Sequence, residues 1–150
     1  MKYIVNFLIF FLIFFNNAKA VENKILFKVD NEIITSLDIL NEIDYLEFTN
    51  KNLGNFSKFE KFEIAKNSKI KEKIKEIEIL KWFKNLYVEE KFLKPIIKNI
   101  YLRANLSSAE ELEIYLSKKN ISLKEIKKRV SIELLWNQLV YRKYSDKIKI

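Results

Sequence analysis

The clearest helical pattern in the chain lies at residues 122–144, where the sequence is SLKEIKKRVSIELLWNQLVYRKY. Ser122 and Glu125 form a capping box, in which a serine and a glutamate three residues apart mark the start of a helix. Apolar residues then follow at helical spacing on one face. They are Leu123, Ile126, Val130, Leu134 and Val140, with Trp136 and Leu139 beside them. The pattern predicts a long helix of roughly 30 Å at 1.5 Å per residue.

Four other helices are predicted upstream from capping residues and apolar spacing. Their expected bounds are residues 35–49, 57–87, 89–104 and 107–117. The second helix allows a break near Asn67, and the third either begins near Lys94 or is kinked at Pro95. The residues expected to face the core are Leu40, Ile43 and Leu46 in the first helix, with Ile39 beside them. In the second helix they are Ile70, Ile74, Ile77 and Leu80, and Ile79, Trp82, Phe83 and Leu86 widen this face toward the end. The segment between these two helices, residues 50–56, is predicted to be a loop.

Two short strands are predicted before the helices. Residues 24–29 place alternate apolar side chains on one face of a strand. Asp30 and Asn31 tolerate the left-handed backbone of a two-residue turn, so residues 32–34 are expected to return as a second strand. Residues 147–150 alternate in the same way at the C-terminus, and the open edge of the hairpin is their expected partner.

The fold class follows from these elements and from the scarcity of turn residues. Gly54 and Pro95 are the only glycine and the only proline of the chain, whereas β-sandwiches and β-barrels use both heavily. We therefore predict a mostly α-helical domain of about five helices, with a small N-terminal β-hairpin that a C-terminal strand can extend. One domain over residues 21–150 fits the usual domain size of about 100–150 residues.

The first 20 residues have the order of a cleavable secretory signal. Lys2 gives a positive start, residues 4–15 are almost wholly apolar, and Ala18 and Ala20 supply a small-x-small cleavage site. The apolar run has about 12 residues, fewer than the roughly 20 that span a bilayer. We therefore expect cleavage after Ala20 and export to the periplasm.

Several classes of chemistry are excluded by the composition. The chain contains neither cysteine nor histidine, which rules out thiolate or imidazole metal sites, cysteine nucleophiles, disulfides and Ser-His triads. A single glycine rules out a glycine-rich phosphate loop, and no Asp-rich calcium loop is present. We expect no metal, no cofactor and no enzymatic activity, although Ser-Lys and paired-carboxylate sites stay open.

The basic character of the chain bears on its partners. Removing Lys2 and Lys19 with the signal leaves 26 basic residues against 20 acidic ones, a net charge of +6. Such a balance suits acidic polypeptides, anionic lipid or nucleic acid. Export makes nucleic acid a poor partner, so we expect exported polypeptides as partners, with peripheral contact to a membrane as a further interaction.

Aromatic residues are the main candidates for binding, because the chain carries 12 Phe, 7 Tyr and 2 Trp. The candidate client-binding residues are Phe56, Phe59, Phe62, Trp82, Phe83 and Trp136. The three members at the junction of the 50–56 loop and the second helix either pack beneath the loop or form an exposed apolar patch. The other three have the same two interpretations, core packing or binding of aromatic-rich chains.

The order of these elements resembles the N-terminal domain of SurA-like periplasmic chaperones. Residues 25–39, with the sequence ILFKVDNEIITSLDI, look like the opening strand, turn, strand and helix start of that family. Residues 105–112 and 120–126 look like its paired short helices. Residues 132–140 and 147–150 are similar to its long helix and terminal strand. The resemblance covers nearly the whole chain after the signal and rests on order and spacing.

The resemblance implies that the chain binds unfolded outer-membrane proteins in transit without ATP. Members of this family usually carry parvulin-type prolyl isomerase domains after this segment, and a C-terminal segment that completes the chaperone core. Both are missing from a chain that stops at Ile150. Prolyl isomerase activity is therefore not expected, and self-association could replace the lost segment.

Three alternatives stay open at this point. The chain could be a subunit associated with a prolyl isomerase whose catalytic domain lies on another chain. It could instead be a basic module that docks on an envelope complex or on a membrane surface. A nucleic-acid binder would require that the signal be false.

Overall fold

The computed structural model describes residues 23–147 of the chain. The predicted signal at residues 1–20 lies outside the described residues, and so does the predicted C-terminal strand apart from Lys147. The described residues form five α-helices and one two-stranded antiparallel sheet. The prediction of a mostly α-helical fold with a small N-terminal hairpin is therefore confirmed.

The hairpin consists of β1 (Ile25–Val29) and β2 (Glu32–Thr35). The turn between them is the predicted pair, Asp30 and Asn31, and only Asp30 has a left-handed backbone, with φ at 53°. Aspartate is among the few residues that adopt this conformation readily. The local sequence therefore suffices to place the turn.

The C-terminal strand predicted at residues 147–150 is not formed at its first residue. Ser145 keeps a helical backbone, and Ser145–Lys147 form a 3-10 turn that continues from the last helix. Within residues 23–147, the sheet consists of β1 and β2 alone. The helical backbone continues through Lys147 because extending an existing helix gains one hydrogen bond for each residue that is ordered.

The first two helices begin where the capping boxes predict. Thr35 caps α1 (Ser36–Thr49), and Ser57 caps α2 (Lys58–Leu80). In both, the hydroxyl accepts a hydrogen bond from the backbone three residues on, and the acidic side chain there accepts one in return. A 3-10 helix, Lys51–Asn55, lies between them in place of the predicted irregular loop.

The remaining helices are α3 (Glu90–Arg103), α4 (Ala109–Ser117) and α5 (Leu123–Tyr144). Pro95 lies inside α3, so the alternative in which that helix begins near Lys94 is wrong. The cap of α4 also differs from the prediction by one residue. Ser108, rather than Ser107, accepts the hydrogen bond from the backbone N–H of Glu111.

The end of α2 departs most from the prediction. The helix passes Asn67 without a break and stops at Leu80, well before the expected end near Tyr87. Beyond it, the Asn85 side-chain oxygen accepts a hydrogen bond from the Tyr87 N–H at 3.0 Å, a local bond that competes with helix formation. The side chains that this irregular segment brings into the core beside α5 are Phe83, Leu86 and Val88. Packing against α5 thus overrides the helical periodicity.

Three apolar clusters form the core. One lies between α3, α4 and α5, and its buried residues are Leu93, Ile97, Leu112, Leu116, Ile121 and Ile126. A second joins α2 to α5, and its buried residues are Ile79, Ile132, Leu135 and Leu139. The third seats the hairpin on α1 and α2, and its buried residues are Ile34, Ile39 and Ala65. The hairpin and all five helices therefore contribute to a shared core.

The side of each helix that is buried differs in part from the prediction. The residues predicted to face the core that are exposed instead are Leu40, Ile74, Leu80 and Val140. Their neighbours Ile39 and Ile79 are buried, as are two glutamates, Glu42 and Glu76. Each of these helices has more apolar surface than one neighbouring element can cover. Which apolar residues are buried therefore depends on where the neighbouring element packs.

Candidate functional site

The aromatic residues at the start of α2 only partly form the patch proposed for them. Phe59 is 74% exposed and Phe56 is also exposed. Phe62 is half-buried, and its ring lies 6.4 Å from the ring of Phe27 in the cluster beneath the hairpin. Phe62 therefore belongs to the core, and two phenylalanines remain available at this end of the molecule.

The other predicted residues lie at the far end of α2. Trp82 is exposed, whereas Phe83 and Trp136 are half-buried against the cluster that joins α2 to α5. Because the 23 residues of α2 span about 35 Å, the two groups cannot touch one client residue together. The six residues thus do not form one site.

A depression lined mainly by apolar side chains lies between α3 and α5, and we name it the α3–α5 trough. Its volume is about 480 Å³, and its lining residues are Tyr87, Val88, Glu89, Phe92, Leu134 and Gln138. Tyr87 and Phe92 are each 53% exposed. The trough thus presents two open aromatic rings over an aliphatic floor, with an amide and a carboxylate at its edge.

The irregular segment after α2 positions the wall of the trough. The backbone N–H of Val88 donates a hydrogen bond to the Ser131 hydroxyl at 3.4 Å, and that hydroxyl in turn donates to the carbonyl of Lys127 at 2.8 Å. These bonds fix the segment to α5 just before α3 begins. Tyr87 and Phe92 are thereby held on either side of the turn into α3.

A charged cleft of about 370 Å³ adjoins the trough and shares Leu134 with it. Ile96 and Val130 continue its apolar surface, and Tyr45 and Arg129 form part of its polar side. Together, the trough and the cleft extend an apolar surface toward a group of charged side chains. Such a combination of apolar walls with a few fixed polar groups is typical of binding sites.

Arg129 is the centre of the charged side. Its guanidinium is 8% exposed and contacts three carboxylates, those of Glu42 at 2.6 Å, Glu72 at 2.8 Å and Glu125 at 3.0 Å. The guanidinium carbon also lies 3.9 Å from the centre of the Tyr45 ring, a cation–π contact. Burial by itself lowers the pKa of Arg129, but these carboxylates outweigh it and hold the pKa above its ordinary value.

Glu42 connects this group to the first two helices. Its side chain is fully buried, accepts a hydrogen bond from the Ser68 hydroxyl at 2.7 Å and lies 3.9 Å from the Lys69 ammonium. The network therefore joins α1, α2 and α5. Its charged side chains pair with one another, and the buried Arg129 Nε makes no hydrogen bond within residues 23–147. The network fixes the three helices that carry the cleft.

The sequence contained a signal for this network that the prediction did not use. Glu42 follows Ile39 by three residues, and Arg129 stands between Ile126 and Ile132 at the same spacing. Each charge thus interrupts an apolar helical face. Opposite charges on two apolar faces are expected to pair when buried, because an unpaired buried charge is strongly unfavourable.

A second buried carboxylate, Glu76, links α2 to α5. It is 5% exposed, and its oxygens lie 3.0 Å from the Lys73 ammonium and 2.6 Å from that of Lys128. Burial by itself raises the pKa of Glu76, but hydrogen bonds and charges from Lys128 and Lys73 outweigh it, so the pKa falls below its ordinary value of 4.5. Glu76 therefore stabilises the fold in its ionised form.

The Glu76→Gln variant is expected to lose about 2 kcal/mol in free energy of unfolding at neutral pH, since the bonds it weakens involve charged groups. Because the pKa is lowered by folding, the Glu76 contribution is complete above the unfolded pKa near 4.5 and is lost as pH falls through the lower folded value. The gap between wild type and variant should therefore close in acid. Urea denaturation at a series of pH values measures it.

Glu133→Gln is the matched control for this variant. Glu133 pairs with Lys75 across the same two helices but is 58% exposed, so its loss should stay below about 1 kcal/mol. A pH-independent gap for Glu76→Gln would contradict the assignment.

Comparison of the chain with protein-family models, with curated proteins and with solved structures returns no match. Within residues 23–147, no helix has both the length and the apolar character needed to cross a membrane. The same part of the chain contains no cluster of three or more side chains suited to hold a metal ion.

Proposed function

We propose that the chain is an ATP-independent, SurA-like periplasmic holdase module that binds unfolded outer-membrane proteins in transit. The observation that carries this proposal is the α3–α5 trough, an open apolar surface with two half-exposed aromatic rings. The predicted signal at residues 1–20 and the resemblance in the order of elements support it. Neither ATP nor a cofactor enters the mechanism.

The trough suits segments of unfolded outer-membrane proteins. Strands of outer-membrane barrels alternate apolar and polar residues and are flanked by aromatic girdles, so an extended segment presents an apolar or aromatic side chain at every second position. Phe92 and Leu134 can cover such a side chain, while Gln138 and Glu89 lie at the edge for hydrogen bonds with the client backbone. A volume of about 480 Å³ covers few side chains at once, which favours weak and reversible binding.

Other exposed residues support repeated weak contacts with one client. Phe56 and Phe59 are exposed at the start of α2 and Trp82 beyond its other end, and a long unfolded chain can touch both places together. Linking weak contacts through one chain raises the overall affinity without any single tight site. The predicted charge of +6 after signal removal would increase the rate of encounter with acidic clients.

Replacing both aromatic residues of the trough, Tyr87→Ser with Phe92→Ser, is expected to raise the protein concentration needed to suppress client aggregation by about tenfold or more. Truncating two aromatic contact residues removes roughly 2 kcal/mol or more at typical binding surfaces. The folded state should change little, because both side chains are half exposed. Light scattering of an outer-membrane barrel protein diluted from urea measures the effect.

The matched control is Leu102→Ser with Ile114→Ser, which removes two equally exposed apolar side chains outside the trough. These substitutions should leave suppression within about twofold of wild type. Equal loss in both double variants would show that the trough is not the binding site. Absence of suppression by the folded wild-type protein would reject the holdase proposal itself.

A further inference from the structure

The end of the molecule where α2 and α5 both terminate carries closely packed aromatic and basic side chains. The Arg142 guanidinium and the Lys143 ammonium lie 5.9 and 5.1 Å from the centre of the Trp82 ring. The Lys147 ammonium lies 5.5 Å from the centre of the Tyr144 ring. We name the side chains at and just after these two helix ends the aromatic–basic patch, and its other members are Leu80, Lys81, Lys84, Val140 and Tyr141.

The apolar members of the patch are exposed. Tyr141 is 74% exposed, Trp82 and Leu80 are each 50% exposed, and Tyr144 and Val140 are also open to solvent. These side chains lie at or just beyond the C-terminal ends of α2 and α5. Clustered exposed apolar side chains beside charges mark an interaction surface more often than single ones do.

The charge of the patch is strongly positive. Its basic residues are Lys81, Lys84, Arg142, Lys143 and Lys147, and the acidic residues next to them in sequence or space are Glu78 and Asp146. Five positive and two negative side chains leave a local charge of +3. Basic residues in the last turn of α5 also complement the helix dipole, but the dipole explains neither Lys84, which lies outside the helices, nor the exposed rings.

We propose that the aromatic–basic patch docks the protein on the surface of an anionic phospholipid bilayer. Trp and Tyr rings have an apolar body and a polar tip and concentrate at the boundary between headgroups and acyl chains. Lys and Arg attract anionic headgroups while their stems lie along apolar surface. The patch supplies both kinds of side chain at one end of the molecule, so it fits a bilayer surface without a membrane-spanning segment.

Two features favour lipid over nucleic acid as the partner. Leu80 and Val140 are exposed aliphatic side chains, which insert among acyl chains but give a nucleotide nothing to stack on. Single-stranded nucleic acid binds by stacking bases on open aromatic faces, whereas two cations already lie close to the Trp82 ring. The proposal is tested separately from the holdase proposal, because the patch shares Trp82 with the exposed client contacts but none of its members lines the α3–α5 trough.

The test compares vesicle binding by two variants with equal loss of charge. Arg142→Gln with Lys143→Gln removes two cations from the patch, and Lys118→Gln with Lys119→Gln removes two from the end of α4. Lys119 also lies over an exposed tyrosine ring, that of Tyr115, at 5.8 Å, so the two pairs are closely matched. All variants are expressed and purified in the same way and carry the same N-terminus. Residues 1–20 therefore affect the vesicle binding of every variant equally.

Co-sedimentation is measured with vesicles of phosphatidylglycerol and phosphatidylcholine in equal parts, and with vesicles of phosphatidylcholine alone. Wild type should prefer the anionic vesicles, and the patch variant should bind them roughly 30-fold more weakly, since each cation near the surface contributes about fivefold. The α4 variant should stay within about twofold of wild type. Circular dichroism checks that all three proteins are folded.

A fluorescence measurement separates docking through the patch from general electrostatic attraction. In a Trp136→Phe variant, Trp82 is the remaining tryptophan, and its emission should shift to the blue on anionic vesicles. In a Trp82→Phe variant, the half-buried Trp136 should show little shift. Equal weakening by both charge pairs, no vesicle binding, or no shift at Trp82 would overturn the proposal. Binding of a labelled single-stranded oligonucleotide that only the patch variant loses would also overturn it.

Discussion

Replacing Arg129 with methionine is expected to lower the free energy of unfolding by about 3–5 kcal/mol. The substitution leaves Glu42, which is fully buried, and Glu72, which is largely buried, with Lys69 as their remaining cation, at 3.9 and 2.7 Å. Removing one partner of a buried ion pair is strongly destabilising because the remaining charge stays away from water. Methionine fills a similar volume, so the loss would report the charge rather than a cavity. Urea denaturation followed by circular dichroism measures it.

The control for this prediction lies on the same helix. Lys127→Met removes a cation that pairs with Glu90 at 2.7 Å, and both side chains of this pair are partly exposed. The variant should therefore lose less than about 1 kcal/mol in free energy of unfolding. Arg129→Lys should fall between the two, because one ammonium cannot replace a planar group that reaches three carboxylates. A loss at Arg129→Met no larger than at Lys127→Met would show that the network does not stabilise the fold.

Replacing Leu116 with alanine is expected to lower the free energy of unfolding by about 2–5 kcal/mol. Leu116 is fully buried in the cluster between α3, α4 and α5. α4 has only 9 residues, and a helix this short is not stable alone in water. It is held in place mainly by Leu112 and Leu116, so the variant should also loosen α4. Hydrogen exchange of the α4 amides would detect this second effect.

Ile114→Ala is the natural comparison, because Ile114 lies in the same helix but is 60% exposed. Its loss should be within about 0.5 kcal/mol of zero. A similar loss in both variants would contradict the packing of α4 described above.

The parts of the fold that local sequence determines were predicted well. Thr35, Ser57 and Ser122 cap their helices as expected, since a cap involves only residues within one turn. The cap of α4 was displaced because two adjacent serines precede two adjacent glutamates, so both registers satisfy the pattern. The structure selects the later one, in which the Glu111 carboxylate accepts a hydrogen bond from the Ser107 N–H at 2.7 Å.

Features that depend on distant partners were predicted less well. The end of α2 and the burial of Ile79 rather than Leu80 depend on α5, which lies far along the chain. The α3–α5 trough combines the irregular segment after α2 with two helices, so no single stretch of sequence contains it. Of the six aromatic residues chosen from sequence, Phe62, Phe83 and Trp136 pack against core clusters. Whether any of the six binds a client stays a prediction.

The connection between Glu42 and Arg129 also affects the order in which the site is assembled. The two residues are 87 positions apart, and contacts of long sequence separation form late because the intervening chain must first be ordered. A chain emerging N-terminus first can form the hairpin, α1 and α2 before α5 is present. The trough needs α5 for one of its walls, so it forms only when α5 packs against α2, in the same step that buries Ile79.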